Sequence, residues 1–183
     1  MFQQILEKIA TGLDQRGLAY MVTGGQAVLL YGEPRLTRDI DVTLAVSVER
    51  LPEILEMVRE LEWQVLVTSP AEFVRETMVL PCVEPASAIR IDLIFSFSPY
   101  ERQAMERVRR VKMGSAHVRF ASPEDVIIHK VIAGRPRDLE DARTILIKNP
   151  NLERRYIRDW LKRFEESLDT PFLKRFDELE QGS

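Results

Sequence analysis

Thiol and imidazole groups are scarce in this chain. A single cysteine, Cys82, stands among 183 residues, which excludes an internal disulfide and fits a reducing compartment. Only two histidines accompany it, too few for an ordinary Cys/His structural zinc site. No apolar run approaches the roughly 20 residues that a membrane-spanning helix needs. The N-terminal residues have the spacing of an amphipathic helix rather than the layout of a signal peptide, so the expected setting is cytoplasmic, with no membrane partner. Net charge is small as well, −3 at pH 7. That argues against a protein that coats nucleic acid through bulk charge, although a local basic cleft stays open. Internal repeats and low-complexity stretches are absent. What is present, 45% hydrophobic and 30% charged residues, is the composition of a soluble globular protein, long enough for one domain or a small core with an appendage.

Hydrophobic spacing divides the chain at about Phe120. Before it, Phe2, Ile5, Leu6, Ile9 and Leu13 fall at helical intervals up to a stop at Gly17. Leu18–Thr23 reads as a strand, Gly24–Tyr31 as a helix burying Ala27, Val28, Leu30 and Tyr31, and Asp39–Val46 as a second strand. A further helix is expected from about Val48 to Leu61. Strands are expected at Trp63–Val67, Thr77–Val83 and Ala88–Phe95, then a helix at Tyr100–Arg107 and a hairpin at Arg109–Met113 and His117–Phe120 around Gly114-Ser115. After Phe120 the pattern is helical. Ser122 caps a helix opened by Pro123 and two acids; Asp138 starts the next; Tyr156, Ile157, Trp160, Leu161, Phe164 and Leu168 mark a long one; Phe172, Phe176 and Leu179 mark a short last one. The expected class is α+β: a mixed, twisted sheet flanked by helices over residues 1–120, with a C-terminal helical appendage, residues 121–183, packed on that core.

The chemistry concentrates between Tyr20 and Leu44. There a short apolar run ends at Gly24-Gly25, a helix follows, and the next strand carries Asp39 and Asp41. Residues two apart on a strand share a face, so both carboxylates project to one side while Ile40 and Val42 project to the other. Two carboxylates that close repel each other unless a cation sits between them, and hard oxygen donors suit Mg²⁺ or Mn²⁺. At Gly24 and Gly25 the backbone is bare, so N–H groups at the positive end of the following helix can approach a phosphate. A phosphate seat beside a two-carboxylate metal seat is the layout needed to move a nucleotidyl or phosphoryl group.

These motifs resemble the signature of the nucleotidyltransferase superfamily, the polymerase-beta-like fold. Gly24-Gly25-Gln26-Ala27 with Thr37-Arg38-Asp39-Ile40-Asp41 resembles its AbiEii-like branch and related small bacterial nucleotidyltransferases. The resemblance implies a catalytic set of Asp39, Asp41 and a third acid from a later strand, for which Asp92 in Ile91-Asp92-Leu93-Ile94 matches best. Asp92 would complete the metal site and activate the attacking hydroxyl. Many members have Gly-Ser where this chain has Gly25-Gln26; without that hydroxyl, backbone N–H groups must serve. A second block, Ser122-Pro-Glu-Asp125 through Lys130 to Asp141, is also similar and implies that Lys130 helps to hold the triphosphate. The expected nucleotide-binding set is therefore Gly24, Gly25, Gln26, Arg38 and Lys130. The implied activity is metal-dependent transfer of an NMP from an NTP to an acceptor hydroxyl on RNA or tRNA, a protein or a small molecule such as an antibiotic. A toxin role with an antitoxin partner on the helical appendage belongs to the same resemblance, and a non-catalytic nucleotide-binding module is the alternative.

Plainer readings of the same residues stand beside these. Asp39 and Asp41 can be solvated acids paired with Arg35 and Arg38, Asp92 an exposed residue paired with Arg90, and the glycines a simple turn. Lys130 can be a solvated lysine flanking an apolar stripe, Asp138 an N-cap, and Arg135 and Arg137 loop residues. Cys82 reads as a small buried residue, not a nucleophile, and Trp160 as packing.

Overall fold

The computed structural model describes residues 1–181 of the chain. Helix α1 spans Phe2–Gln15 and buries Ile5, Leu6, Ile9 and Leu13 of the expected stripe, with Ala10 beside them, while Phe2 is only half-buried. Gly17, at φ +62°, turns the chain out of it. Strand β1 (Tyr20–Val22) leads into helix α2 (Gly24–Tyr31) and strand β2 (Asp39–Leu44). A single 3-10 turn at Val48–Arg50 precedes α3 (Leu51–Glu60). There follow β3 (Gln64–Val65), α4 (Pro70–Thr77), β4 (Val79–Glu84), β5 (Ile89–Phe95), α5 (Pro99–Glu106), β6 (Arg109–Met113) and β7 (Ala116–Phe120).

The seven strands form one sheet in the order β3-β4-β5-β2-β1-β7-β6. It is mixed: β2 runs parallel to β5 and β1 parallel to β7, while the other neighbours are antiparallel. Helix α1 lies against β6 and β7, and α4 against β4. Strict alternation along the two middle strands sends Ile40, Val42 and Leu44, with Ile91, Leu93 and Phe95, into the core, all of them buried. Each such side chain contributes about 1.5–3 kcal/mol of apolar transfer. The same alternation sends Asp39, Asp41, Arg90 and Asp92 to the opposite face.

Three sequence expectations in this half are corrected. Helix α4 lies in a stretch for which no element was expected; it buries only Val74 and runs to Thr77, so the strand expected from Thr77 begins at Val79. The expected helix from Val48 begins as a helix proper only at Leu51, because Pro52 lacks the N–H that a preceding turn would bond. Leu30 is exposed, not buried. The run Ala27-Val28-Leu29-Leu30-Tyr31 is apolar all round, so its spacing names no inner face.

Four helices follow: α6 (Pro123–Ala133), α7 (Pro136–Lys148), α8 (Arg154–Leu168) and α9 (Phe172–Gln181). Ser122 caps α6 as expected, its Oγ accepting from the Asp125 N–H at 3.1 Å, and Gly134 ends it at φ +66°. Asp138 does not cap α7. That helix starts at Pro136 behind Arg135, and Asp138 sits inside its first turn. Trp160 is buried together with Tyr156, Ile157 and Leu161 on one side of α8. No helix among the described residues is long and apolar enough to cross a membrane.

By its contacts the chain forms two compact units, Met1–Gln26 with Thr37–Phe120, and Ala27–Leu36 with the chain from Ala121 onward. The first holds the whole sheet. In the second, residues 27–36 are fastened to the helices by several bonds. Tyr31 Oη donates to the Ala121 carbonyl at 2.8 Å, Asn149 Nδ2 to the Tyr31 carbonyl at 3.0 Å and Lys148 Nζ to the Gly32 carbonyl at 3.1 Å.

Candidate active site

Asp39, Asp41 and Asp92 come together in the first unit because β2 and β5 are parallel neighbours. Their register sets Asp41 beside Asp92 and Asp39 beside Arg90. Partners in such a ladder lie about 4.8 Å apart and point the same way. The two strands therefore present a patch of three acids and one guanidinium, from residues up to 53 positions apart in sequence. Asp39 is exposed, and Asp41 and Asp92 are half-buried at the rim.

The glycine corner adjoins this patch. The Thr23 N–H donates to the Asp41 carbonyl at 2.9 Å, which pins the end of β1 to β2. Gly24 follows at φ +58°, and a Cβ there would collide with Asp41 Oδ2. Both facts demand glycine: the left-handed backbone disfavours other residues, and the acid lies directly over the position. Helix α2 carries no acidic residue in its first turn, so the positive end of its dipole is left uncompensated by its own side chains. Gln26, also in that turn, is buried, and its Nε2 has no hydrogen-bond partner.

Each acid has its own environment. Asp39 Oδ1 accepts from Thr37 Oγ1 at 2.8 Å; Thr37 was not foreseen as a site residue, and a hydroxyl two positions ahead of a strand acid was the available signal. Asp92 takes the Arg90 Nε–H between its two oxygens, at 2.9 and 3.1 Å. The Arg90 guanidinium is held above the ordinary arginine range, first by that hydrogen bond and then by the charges of Asp92, Asp39 and Asp41, against partial burial. All three acids thus act on one cation. Their oxygens are the hard donors that Mg²⁺ or Mn²⁺ prefers, and the register supplies them side by side, so the donor set fits such an ion. The present side-chain positions do not enclose one: among the described residues no three His, Cys, Asp or Glu side chains are gathered around a common point.

The remaining expected residues fall as follows. Gly25 and Gln26 lie in the first turn of α2, and Arg38 is exposed. Lys130 belongs to the second unit and is no solvated lysine: it is buried, with Nζ 2.7 Å from Asp138 Oδ1 and 3.0 Å from Asp141 Oδ2. Arg35 does not serve Asp39 or Asp41 as an ion-pair partner either. It forks onto Asp141 at 2.8 and 2.9 Å, and Arg135 bonds Asp138 at 2.5 Å. Cys82, wholly buried in β4, has its thiol pushed up to about 12 by burial, with the Asp92 charge adding to the effect; that is the inert cysteine expected.

A seven-stranded mixed sheet with a glycine corner and three strand acids defines the nucleotidyltransferase class. The model of one family, described as nucleotidyltransferase of unknown function (DUF6036), matches residues 1–159, and the chain belongs to that family. No curated protein matches it. Among solved structures, the antibiotic-resistance factor ANT(2'')-Ia superposes with TM-score 0.58 at 19% identity, covering 98% of this chain and 95% of that one. An antigenic nucleotidyltransferase-like protein from Paracoccidioides brasiliensis gives 0.55 at 16% identity, over 81% and 75%. The lincosamide antibiotic adenylyltransferase LnuA gives 0.50 at 14% identity, over 73% and 89%. At these identities the likeness is one of fold.

Proposed function

We propose that this nucleotidyltransferase is metal-dependent and transfers an NMP from an NTP to an acceptor hydroxyl at the face shared by Asp39, Asp41 and Asp92. The observation that carries this reading is the β2–β5 register, which sets Asp41 beside Asp92, with Gly24 packed under Asp41. Asp39, Asp41 and Asp92 are the residues that would hold a divalent ion. Such an ion supplies charge neutralisation for the triphosphate and for the leaving group. The N–H groups of Gly25 and Gln26 at the start of α2 receive phosphate oxygens. The acceptor oxygen then forms a bond to the α-phosphorus, the bond from that phosphorus to the β-bridging oxygen breaks, and pyrophosphate leaves. Asp92 takes the hydroxyl proton.

For the acceptor we favour a small polar molecule over RNA. The net charge of −3 gives a phosphate backbone little to hold, and a solved structure of similar fold carries adenylyl-2"-tobramycin. The finer placement in the AbiEii-like branch, with an antitoxin as partner, draws on the Gly24-Gly25-Gln26-Ala27 and Thr37-Arg38-Asp39-Ile40-Asp41 motifs alone.

The test is label transfer. The chain is incubated with each α-labelled NTP, Mg²⁺ or Mn²⁺, and cellular metabolite, RNA and protein pools. Label should enter the metabolite pool, and Asp39→Asn with Asp41→Asn should lower transfer by about a thousandfold while the circular dichroism spectrum is unchanged. Equal transfer by the double variant defeats the reading.

A further inference from the structure

Arg90 stands where a metal-site residue is least expected. A guanidinium repels a divalent ion, yet this one lies in register with Asp39, bonds both oxygens of Asp92 at 2.9 and 3.1 Å and shares the face of all three acids. Without a cation those carboxylates would repel one another. Arg90 relieves that repulsion from within the chain. Its side chain is 55% exposed, against 18% for Asp92, so it is free to swing toward solvent while Asp92 stays in place. A half-exposed ion pair of this kind is weak, and a doubly charged ion drawn by three carboxylates outcompetes it.

We infer that Arg90 is an exchangeable counter-ion of the acid patch: it holds Asp92 until a divalent cation arrives, and ion binding requires that this pair open. The inference rests on reading Asp39, Asp41 and Asp92 as metal ligands. It makes Arg90 a positioning residue that acts through Asp92.

Mn²⁺ binding to the intact chain without nucleotide, followed by the loss of the free-ion signal in electron paramagnetic resonance, tests this apart from turnover. Arg90→Met should bind Mn²⁺ about tenfold more tightly than the unaltered chain, since both the competitor and its charge are gone. Arg90→Lys keeps the charge but not the two-oxygen contact, and should fall between them. Asp92→Asn should bind more weakly than either. If Arg90→Met binds Mn²⁺ no more tightly than the unaltered chain, the counter-ion role is overturned while the metal site stands. If the unaltered chain and Arg90→Met both fail to bind Mn²⁺, the metal site and the counter-ion role fall together.

Discussion

Gly24 carries two demands at one residue. Its backbone lies at φ +58°, and Asp41 Oδ2 occupies the space that a side chain would need. Alanine there must either shift Asp41 or straighten the turn, and both disturb the corner where β1 ends and α2 begins. Gly24→Ala should lower stability by about 1–3 kcal/mol and weaken Mn²⁺ binding as well, read from urea unfolding and from the ion titration. Gly25→Ala is the control, because Gly25 is not among the residues at positive φ. The glycine pair was legible in the sequence as a phosphate corner. That one of the two is fixed by an acid seventeen residues further on was not, because nothing local records that contact.

Elements rather than single residues explain the Lys130 cluster. Lys130 comes from α6, Asp138 and Asp141 from α7, Arg35 from the segment after α2, and Arg135 from the turn between α6 and α7. Three cations and two acids therefore tie four parts of the second unit together. Burial alone would raise the Asp138 carboxyl, but hydrogen bonds from Arg135 and Lys130, and their charges, outweigh it and hold the group below the ordinary Asp range. A carboxyl held low in the folded chain contributes stability that is fully present above its unfolded value, about 3.9, and is lost as pH falls through the lower folded value. Asp138→Asn should cost about 2–3 kcal/mol at neutral pH. It should also lose less further stability than the unaltered chain between pH 6 and pH 3, measured as urea midpoints. The sequence announced the helices by their spacing and the α6 cap by Ser122-Pro123. It did not announce that Lys130 is buried, because α6 is buried nearly all round and such a helix has no polar face to distinguish. Asp138 misled for a related reason: an acid after proline suits an N-cap and a buried ion pair equally.

On the scale of the molecule, ligand binding should appear as stability. A ligand that binds only the folded chain adds about 2.7 kcal/mol at a hundredfold excess over its dissociation constant, which for a chain of this length raises the melting midpoint by about 5–10 °C. NTP with Mg²⁺ should produce that rise; NTP with a chelator, or the Asp39→Asn, Asp41→Asn variant with both ligands, should not. Differential scanning fluorimetry checks it for each nucleotide in turn. Most strands of the sheet lay within reach of the sequence, since alternation named them, but their order did not, because pairing between distant strands leaves no local mark. The membership of residues 27–36 in the helical unit did not, because a division read along the chain cannot see a segment that leaves one unit and rejoins it.

That detour sets an order of events at the ribosome. Tyr31 emerges 90 residues before the Ala121 carbonyl that its hydroxyl reaches. At roughly 5–20 residues per second the segment waits on the order of 5–20 s for its partners, while the strands of the sheet are being made and paired. The helical unit is thus completed late around an early-made piece, and a ribosome stalled just after Phe120 would carry a nascent chain whose strands are all synthesised while that piece still lacks its helices.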